Sequence, residues 1–252
     1  MSEMIVETRD LSMRFGGVLA VNNVNFSLRE RELRCLIGPN GAGKSTLFKC
    51  MTGLHQIHHS NGRVFIRGHD VTGWRPHEIV QLGVGIKTQV PSLFNGLSVW
   101  ENVWLSACRV YPKAKALEVT RDTLERVGLS SLQKSTTGLL AHGQRQWVEL
   151  AVVIAADPSL ILLDEPAAGL DVGGREDLLR RFAQFSNDAT APASVLVTHH
   201  IEEIPVGTTH AILLKDGKVA VSGPVQSVIT TEHVSAVFGL HIEVTHESSR
   251  FF

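Results

Sequence analysis

Short apolar runs, each stopped by glycine or a charged residue, set the rhythm of the first third of the chain. Ile5-Val6-Glu7-Thr8-Arg9-Asp10-Leu11 and Val18-Leu19-Ala20-Val21 are rich in β-branched residues and flank Gly16-Gly17, which predicts two strands about a turn. Leu33-Arg34-Cys35-Leu36-Ile37 is a compact run ending at Gly38, and Val64-Phe65-Ile66-Arg67-Gly68 reads as a further strand. Between them Ser45, Thr46, Leu47, Phe48, Met51 and Leu54 follow a helical pattern. From about Leu97 the texture changes. Residues 98–133 are rich in helix formers, with apolar positions at Val99, Val103, Leu117, Leu124 and Val127, and Gly128 is placed to end one helix. The continuous apolar runs Leu160-Ile161-Leu162-Leu163 and Val195-Leu196-Val197 suit central parallel strands, buried on both faces. Residues 211–220 read as a hairpin that turns at Asp216-Gly217. No internal repeat or low-complexity stretch is present, so the pattern predicts an α/β core interrupted by a mostly helical insert.

Composition narrows the class. A chain of 252 residues can bury one large core, and 43% hydrophobic against 19% charged residues is a globular balance. The net charge of −1 gives no electrostatic case for nucleic acid. Cys35, Cys50 and Cys108 are odd in number and widely spaced, which predicts reduced core thiols and no disulfide framework. Residues 1–7 have neither the basic start nor the apolar stretch of a signal peptide. No apolar run is long enough to span a bilayer, so a role at a membrane would need another chain to cross it.

The chemistry is concentrated in two places. Gly38-Pro39-Asn40-Gly41-Ala42-Gly43-Lys44-Ser45 fits G-x-x-x-x-G-K-[ST] between a predicted strand and a predicted helix. Its glycines let backbone N–H groups turn toward phosphates, with the helix N-terminus adding a favourable dipole. Lys44 supplies a point charge and Ser45 a hydroxyl for Mg²⁺. The second place is the end of the apolar run at 160–163. Asp164 there suits a Mg²⁺ ligand, and Glu165 beside it suits a general base for an attacking water. Together they indicate a P-loop nucleoside triphosphatase.

Further residues carry a more specific resemblance. Leu140-Ala141-His142-Gly143-Gln144 resembles the signature of ATP-binding cassette proteins, usually Leu-Ser-Gly-Gly-Gln. Phe15 resembles the family's adenine-stacking aromatic, Gln89 the glutamine linking core to helical insert, Gly169-Leu170-Asp171 the dimer-contact loop, and His199 the switch histidine. The resemblance covers residues 4 to about 225. It implies that Phe15, Val21, residues 38–45, Thr46, Gln89, Ala141, His142, Gly143, Gln144 and Asp171 bind nucleotide, the signature loop acting on the ATP of a second subunit. It also implies that Lys44, Glu165 and His199 are catalytic and that Ser45, Gln89 and Asp164 hold Mg²⁺. His55, His58 and His59 have no metal-ligand spacing and read as surface or loop residues.

Two departures stand out. Ala141 removes the signature hydroxyl, and His142 replaces its first glycine. Followed by Arg145-Gln146-Trp147-Val148-Glu149, this variant looks like the ATPases of urea and branched-chain amino acid importers. So does Gly83-Val84-Gly85-Ile86-Lys87-Thr88-Gln89-Val90-Pro91, where the usual arginine and phenylalanine have become Ile86 and Thr88. Thr198-His199-His200-Ile201-Glu202-Glu203-Ile204-Pro205 and the tail around Ser235 to Leu240 resemble instead a poorly assigned group of bacterial cassettes.

The expected fold is α/β: a P-loop core of cassette type with an antiparallel β subdomain and a helical subdomain. One domain fills 1–252, with core at 1–89 and 158–230, helical subdomain at 90–157 and a tail at 231–252. The resemblance implies an ATP- and Mg²⁺-dependent transport ATPase, cytoplasmic and peripheral on the inner face of the membrane, moving urea or amino acids. Its implied partners are a transmembrane permease, a second ATPase subunit, identical or paralogous, and a periplasmic or lipid-anchored solute-binding protein. The alternative is a non-transport cassette ATPase on ribosomes or DNA. Those usually carry paired cassettes or a coiled-coil insertion, and this chain has neither.

Overall fold

A computed structural model describes residues 3–90, 92–186, 191–247 and 250–252. Pro91, named above, and the first two residues of the segment 1–7 lie outside the described residues, as does the side chain of His59.

β1 (Met4–Phe15) and β2 (Val18–Arg29) form a long hairpin in which Phe15 pairs with Val18. β1 also pairs with β4 (Arg63–Ile66), which pairs with β5 (His69–Asp70), so an antiparallel sheet runs β2-β1-β4-β5. Strand alternation, with one register shift between Val21 and Val24, decides its faces. Val21, Val24, Phe26 and Leu28 of β2 point into the core, while the residues between them are exposed or half-buried.

A six-stranded sheet forms the centre. Its order is β10 (Lys218–Pro224), β9 (His210–Lys215), β3 (Leu33–Ile37), β8 (Ala193–Thr198), β7 (Leu160–Asp164) and β6 (Val84–Lys87). All neighbours are parallel except β9 and β10. Every residue of β3, β7 and β8 is buried, as continuous apolar runs require of strands covered on both faces. The β9–β10 turn has Asp216 at φ 49° and Gly217 at φ 74°, both left-handed, which matches the twist of a hairpin.

α1 (Lys44–Met51) follows β3, and α2 (Pro76–Val80) precedes β6. In the insert, α3 (Val99–Ala107), α4 (Lys113–Arg126) and α5 (His142–Ala155) pack around Val99, Val103, Leu124, Val148 and Ala151. Gly128 follows α4 at φ 70°, the left-handed conformation expected of a helix stop.

α6 (Val172–Ser186) escapes the apolar-spacing reading because Gly173 and Gly174 open it. Asp171 compensates by accepting the Gly174 N–H at 2.7 Å, and Leu178, Leu179 and Phe182 bury the inner face. Beyond β10 come α7 (Val225–Val228), α8 (Thr231–Phe238) and a small antiparallel pair of β11 (His246–Glu247) and β12 (Arg250–Phe251). Phe251 is buried there, and Arg250 pairs with Glu176 of α6 while donating to the Glu202 carbonyl, so the tail returns onto the core. The architecture is therefore α/β of the P-loop type, with an antiparallel sheet and a helical insert.

Candidate functional site

The loop between β3 and α1 is wedged between backbones. A Cβ on Gly38 would lie 2.3 Å from the Leu214 carbonyl, and one on Gly43, at φ 100°, would lie 2.3 Å from the Ala20 carbonyl. Only glycine permits either approach. Gly41, at φ 84°, faces open space. Ala42 N–H donates to Pro39 O at 3.2 Å, and α1 begins without a side-chain cap, which leaves first-turn N–H groups free for an anion. Lys44 is buried and donates to the carbonyls of Gly38 at 2.8 Å and Pro39 at 3.1 Å. Burial pushes its ammonium below the usual lysine range, against the opposing pull of Glu165 and Asp164. A buried cation bonded only to carbonyls, beside free helix N–H groups, fits a polyphosphate.

Asp164 ends β7, almost fully buried, with Ser45 Oγ 3.4 Å from its Oδ1. Burial, and then the neighbouring charge of Glu165, push the Asp164 carboxyl above the ordinary range. A half-buried hydroxyl beside a buried carboxyl that resists ionisation is short of positive charge, so the donor set fits a divalent cation. Glu165 adopts the left-handed conformation at φ 47°, with its N–H donating to Val197 O at 2.9 Å. Its carboxylate is held from both sides, Oε1 at 3.2 Å from His199 Nδ1 and Oε2 accepting from Gln89 Nε2 at 3.3 Å. The sheet thus converges β3, β6, β7 and β8 on one carboxylate pair. Gln89, expected among the Mg²⁺ ligands, here engages Glu165.

Phe15, at the end of β1, is 46% exposed and meets His55 edge to face with ring centroids 5.1 Å apart. Val21 requires a correction. Its side chain is fully buried, because a register shift in the β1–β2 pairing between Val24 and Val21 turns it into the core, and it has no surface to offer a nucleotide. The neighbouring Ala20 carbonyl is what meets the phosphate loop. Thr46 is half-buried in the first turn of α1.

The segment 141–144 opens α5. Ala141 is the N-cap residue and has no side-chain acceptor, while Gln144 Oε1 accepts the Ala141 N–H at 3.1 Å. His142 Nε2 lies 3.2 Å from both the Ala168 carbonyl and Gln146 Nε2, and its ring lies against Gly169. Gly143 approaches Leu170. The structure therefore brings the signature loop onto the 168–171 segment of its own chain. Among the described residues no hydrogen bond ties 141–144 to 38–45.

Sequence reasoning missed Lys87 and Glu149, a buried ion pair at 3.2 Å joining the end of β6 to α5. The available signal was a charge closing an apolar strand and another inside an apolar helix face.

A family model described as ABC transporter matches residues 21–168. The high-affinity branched-chain amino acid transport ATP-binding protein BraF of Pseudomonas aeruginosa is 30% identical over 90% of this chain and 94% of its own. The corresponding LivG protein of Escherichia coli is 31% identical over 84% of this chain and 88% of its own. Among solved structures, a Clostridium perfringens protein that is part of an ABC transporter complex superposes with a TM-score of 0.80 at 26% identity, covering 93% of this chain and 94% of that one. The ADP form of an ATP-binding cassette shares the fold at a TM-score of 0.80 and 24% identity, over 94% and 98% of the two chains. With a phosphate loop, an acid pair at the end of β7 and a cassette signature on one frame, the chain belongs to the ABC transporter family, as one of its ATP-binding, ATP-hydrolysing subunits.

Proposed function

We propose that the chain hydrolyses ATP at the Lys44–Glu165 site and thereby powers a separate membrane-spanning permease that imports amino acids. The observation that carries the reading is the Glu165 carboxylate, fixed between Gln89 and His199 and next to the Ser45–Asp164 pair. Lys44 and the first-turn N–H groups of α1 hold the β- and γ-phosphates. Glu165 takes a proton from water as its oxygen bonds to the γ-phosphorus, the bond to the leaving ADP oxygen breaks, and inorganic phosphate results. His199 orients that carboxylate and contacts the γ-phosphate. A Mg²⁺ ion held by Ser45 and Asp164, with Gln89 nearby, would neutralise phosphate charge. Phe15 stacks on the adenine. Ala141, His142, Gly143, Gln144 and Asp171 act across a dimer, on the nucleotide of a second ATPase subunit.

The substrate class follows BraF and LivG, whose names specify branched-chain amino acids. No helix among the described residues is long and apolar enough to cross a membrane. The proposed place for the chain is at the cytoplasmic face of its permease, where ATP is available. A solute-binding protein completes an importer. Affinity purification of the tagged chain tests the reading. A polytopic membrane protein should co-purify, and vesicles holding both should accumulate labelled leucine with Mg²⁺–ATP. Recovery with ribosomes or DNA and no membrane subunit would contradict it; accumulation of urea in place of leucine would change the substrate alone.

A further inference from the structure

Lys87 and Glu149 carry charge into places the hydrophobic pattern reserves for apolar side chains. Their side chains are 2% and 5% exposed. Lys87 Nζ is 3.2 Å from Glu149 Oε2, an ion-pair contact without an aligned hydrogen bond. The other carboxylate oxygen, Oε1, accepts the Ser92 N–H at 3.0 Å. Lys87 Nζ also reaches the Thr88 carbonyl at 3.4 Å. A buried ion pair contributes little net stability compared with apolar side chains of the same volume, so stability is a poor reason for this one.

Its position supplies a better reason. Glu149 lies two turns into α5, the helix that opens with the signature residues 141–144. Lys87 and Ser92 flank the segment containing Gln89, and Gln89 donates to Glu165. One carboxylate thus ties the signature helix to both ends of the segment that holds the hydrolytic base. The two ties differ physically. The Ser92 hydrogen bond is directional, whereas the ion pair acts without alignment and survives a small rotation. Ser92 is exposed, so water can satisfy its N–H if the bond is lost, and the bond is not needed to cover a buried donor.

We propose that Glu149 is a positioning residue that, through Lys87 and the Ser92 N–H, fixes α5 against the chain on either side of Gln89 and so sets the Gln89–Glu165 contact. This rests on the reading of Glu165 as the base for hydrolysis.

Two double variants test it. Lys87→Met/Glu149→Leu removes both charges and the Ser92 bond. Lys87→Met/Glu149→Gln removes the charges but keeps an oxygen for Ser92. Both avoid an uncompensated buried charge and should melt close to the native chain. In the Leu pair, amide exchange at Ser92 should quicken in the nucleotide-free chain, and kcat should fall about 2- to 30-fold with little change in KM, the usual range for a coupling residue. In the Gln pair, protection and most of kcat should return. Native kcat in the Leu pair despite faster Ser92 exchange would make Glu149 a structural residue, and equal losses in both pairs would exclude the Ser92 link. Should the Leu pair not fold, Ser92→Pro removes the same N–H with Glu149 intact, and native kcat there overturns the proposal. If Glu165→Gln hydrolyses ATP at the native rate, the reading of the site fails, whereas unchanged Ser92 exchange in the Leu pair defeats the joint itself.

Discussion

Ala141→Ser restores the hydroxyl usual in the signature, and the structure says what it meets. Ala141 caps α5 at φ −59°, ψ 154°. Ser98 caps α3 at φ −67°, ψ 163°, nearly the same backbone, and there the hydroxyl accepts the Glu101 N–H while Glu101 returns to the Ser98 N–H. At Ala141 the return half already exists, because Gln144 accepts the Ala141 N–H at 3.1 Å. The introduced hydroxyl should therefore accept the Gln144 N–H and complete the box. A serine cap in place of alanine contributes about 1 kcal/mol. For a chain of this size that raises the melting temperature by about 2–4 °C. Capping uses a lone pair, not the O–H proton, so the hydroxyl can still donate to a phosphate across a dimer. One neutral hydrogen bond of about 0.5–1.5 kcal/mol would then strengthen ATP-driven dimerisation by up to roughly tenfold. Thermal melts without nucleotide measure the first effect, and equilibrium sedimentation with ATP in a Glu165→Gln background the second. An unchanged or lowered melting temperature would refute the capping geometry. A changed ATP affinity of the monomer with unchanged dimerisation would refute action in trans.

Two other substitutions separate binding from folding. Lys44→Ala should weaken ATP binding by about 10- to 100-fold, the loss of a charge-assisted hydrogen bond, and leave the nucleotide-free melting temperature close to native, as calorimetry would show. Asp164→Asn should raise the stability of the nucleotide-free chain at pH 7. Because the folded Asp164 carboxyl has a raised pKa, the folded chain holds that proton more tightly than the unfolded one, so its stabilising share is present at low pH and lost as pH rises through the folded value. The variant should melt higher than the native chain at pH 7, with the gap closing as pH falls toward about 4, while Mg²⁺-dependent ATP binding is lost. A variant that melts lower at pH 7 would contradict the account of Asp164.

What could be read from the chain alone was local. β3, β7 and β8 are continuous apolar runs because both faces are covered, and the β9–β10 hairpin announces itself by Asp216-Gly217. The strand β6 does not, since its pattern is broken by Gly85 and Lys87. A Cβ on Gly85 would lie 2.6 Å from Val153, and Lys87 is buried through Glu149. Both causes lie in α5, far along the chain. Likewise α6 depends on a cap from Asp171 that offsets two glycines. In the site, Gly38 to Ser45 and Asp164-Glu165 are contiguous and chemically distinctive. The resemblance names the position of Val21, whereas a register shift between β1 and β2 decides that its side chain points inside.

The most direct test of the account is steady-state hydrolysis of Mg²⁺–ATP by Glu165→Gln, with ATP affinity measured on the same preparation. Glu165 is held by Gln89 and His199 and lies beside Asp164, so the amide should preserve the site's shape while removing the base. Turnover should fall by about 10²- to 10⁴-fold, the usual share of a general base, with ATP affinity unchanged. Hydrolysis at the native rate with native ATP affinity would contradict the account, because the carboxylate on which β6, β7 and β8 converge would not be the group that activates water.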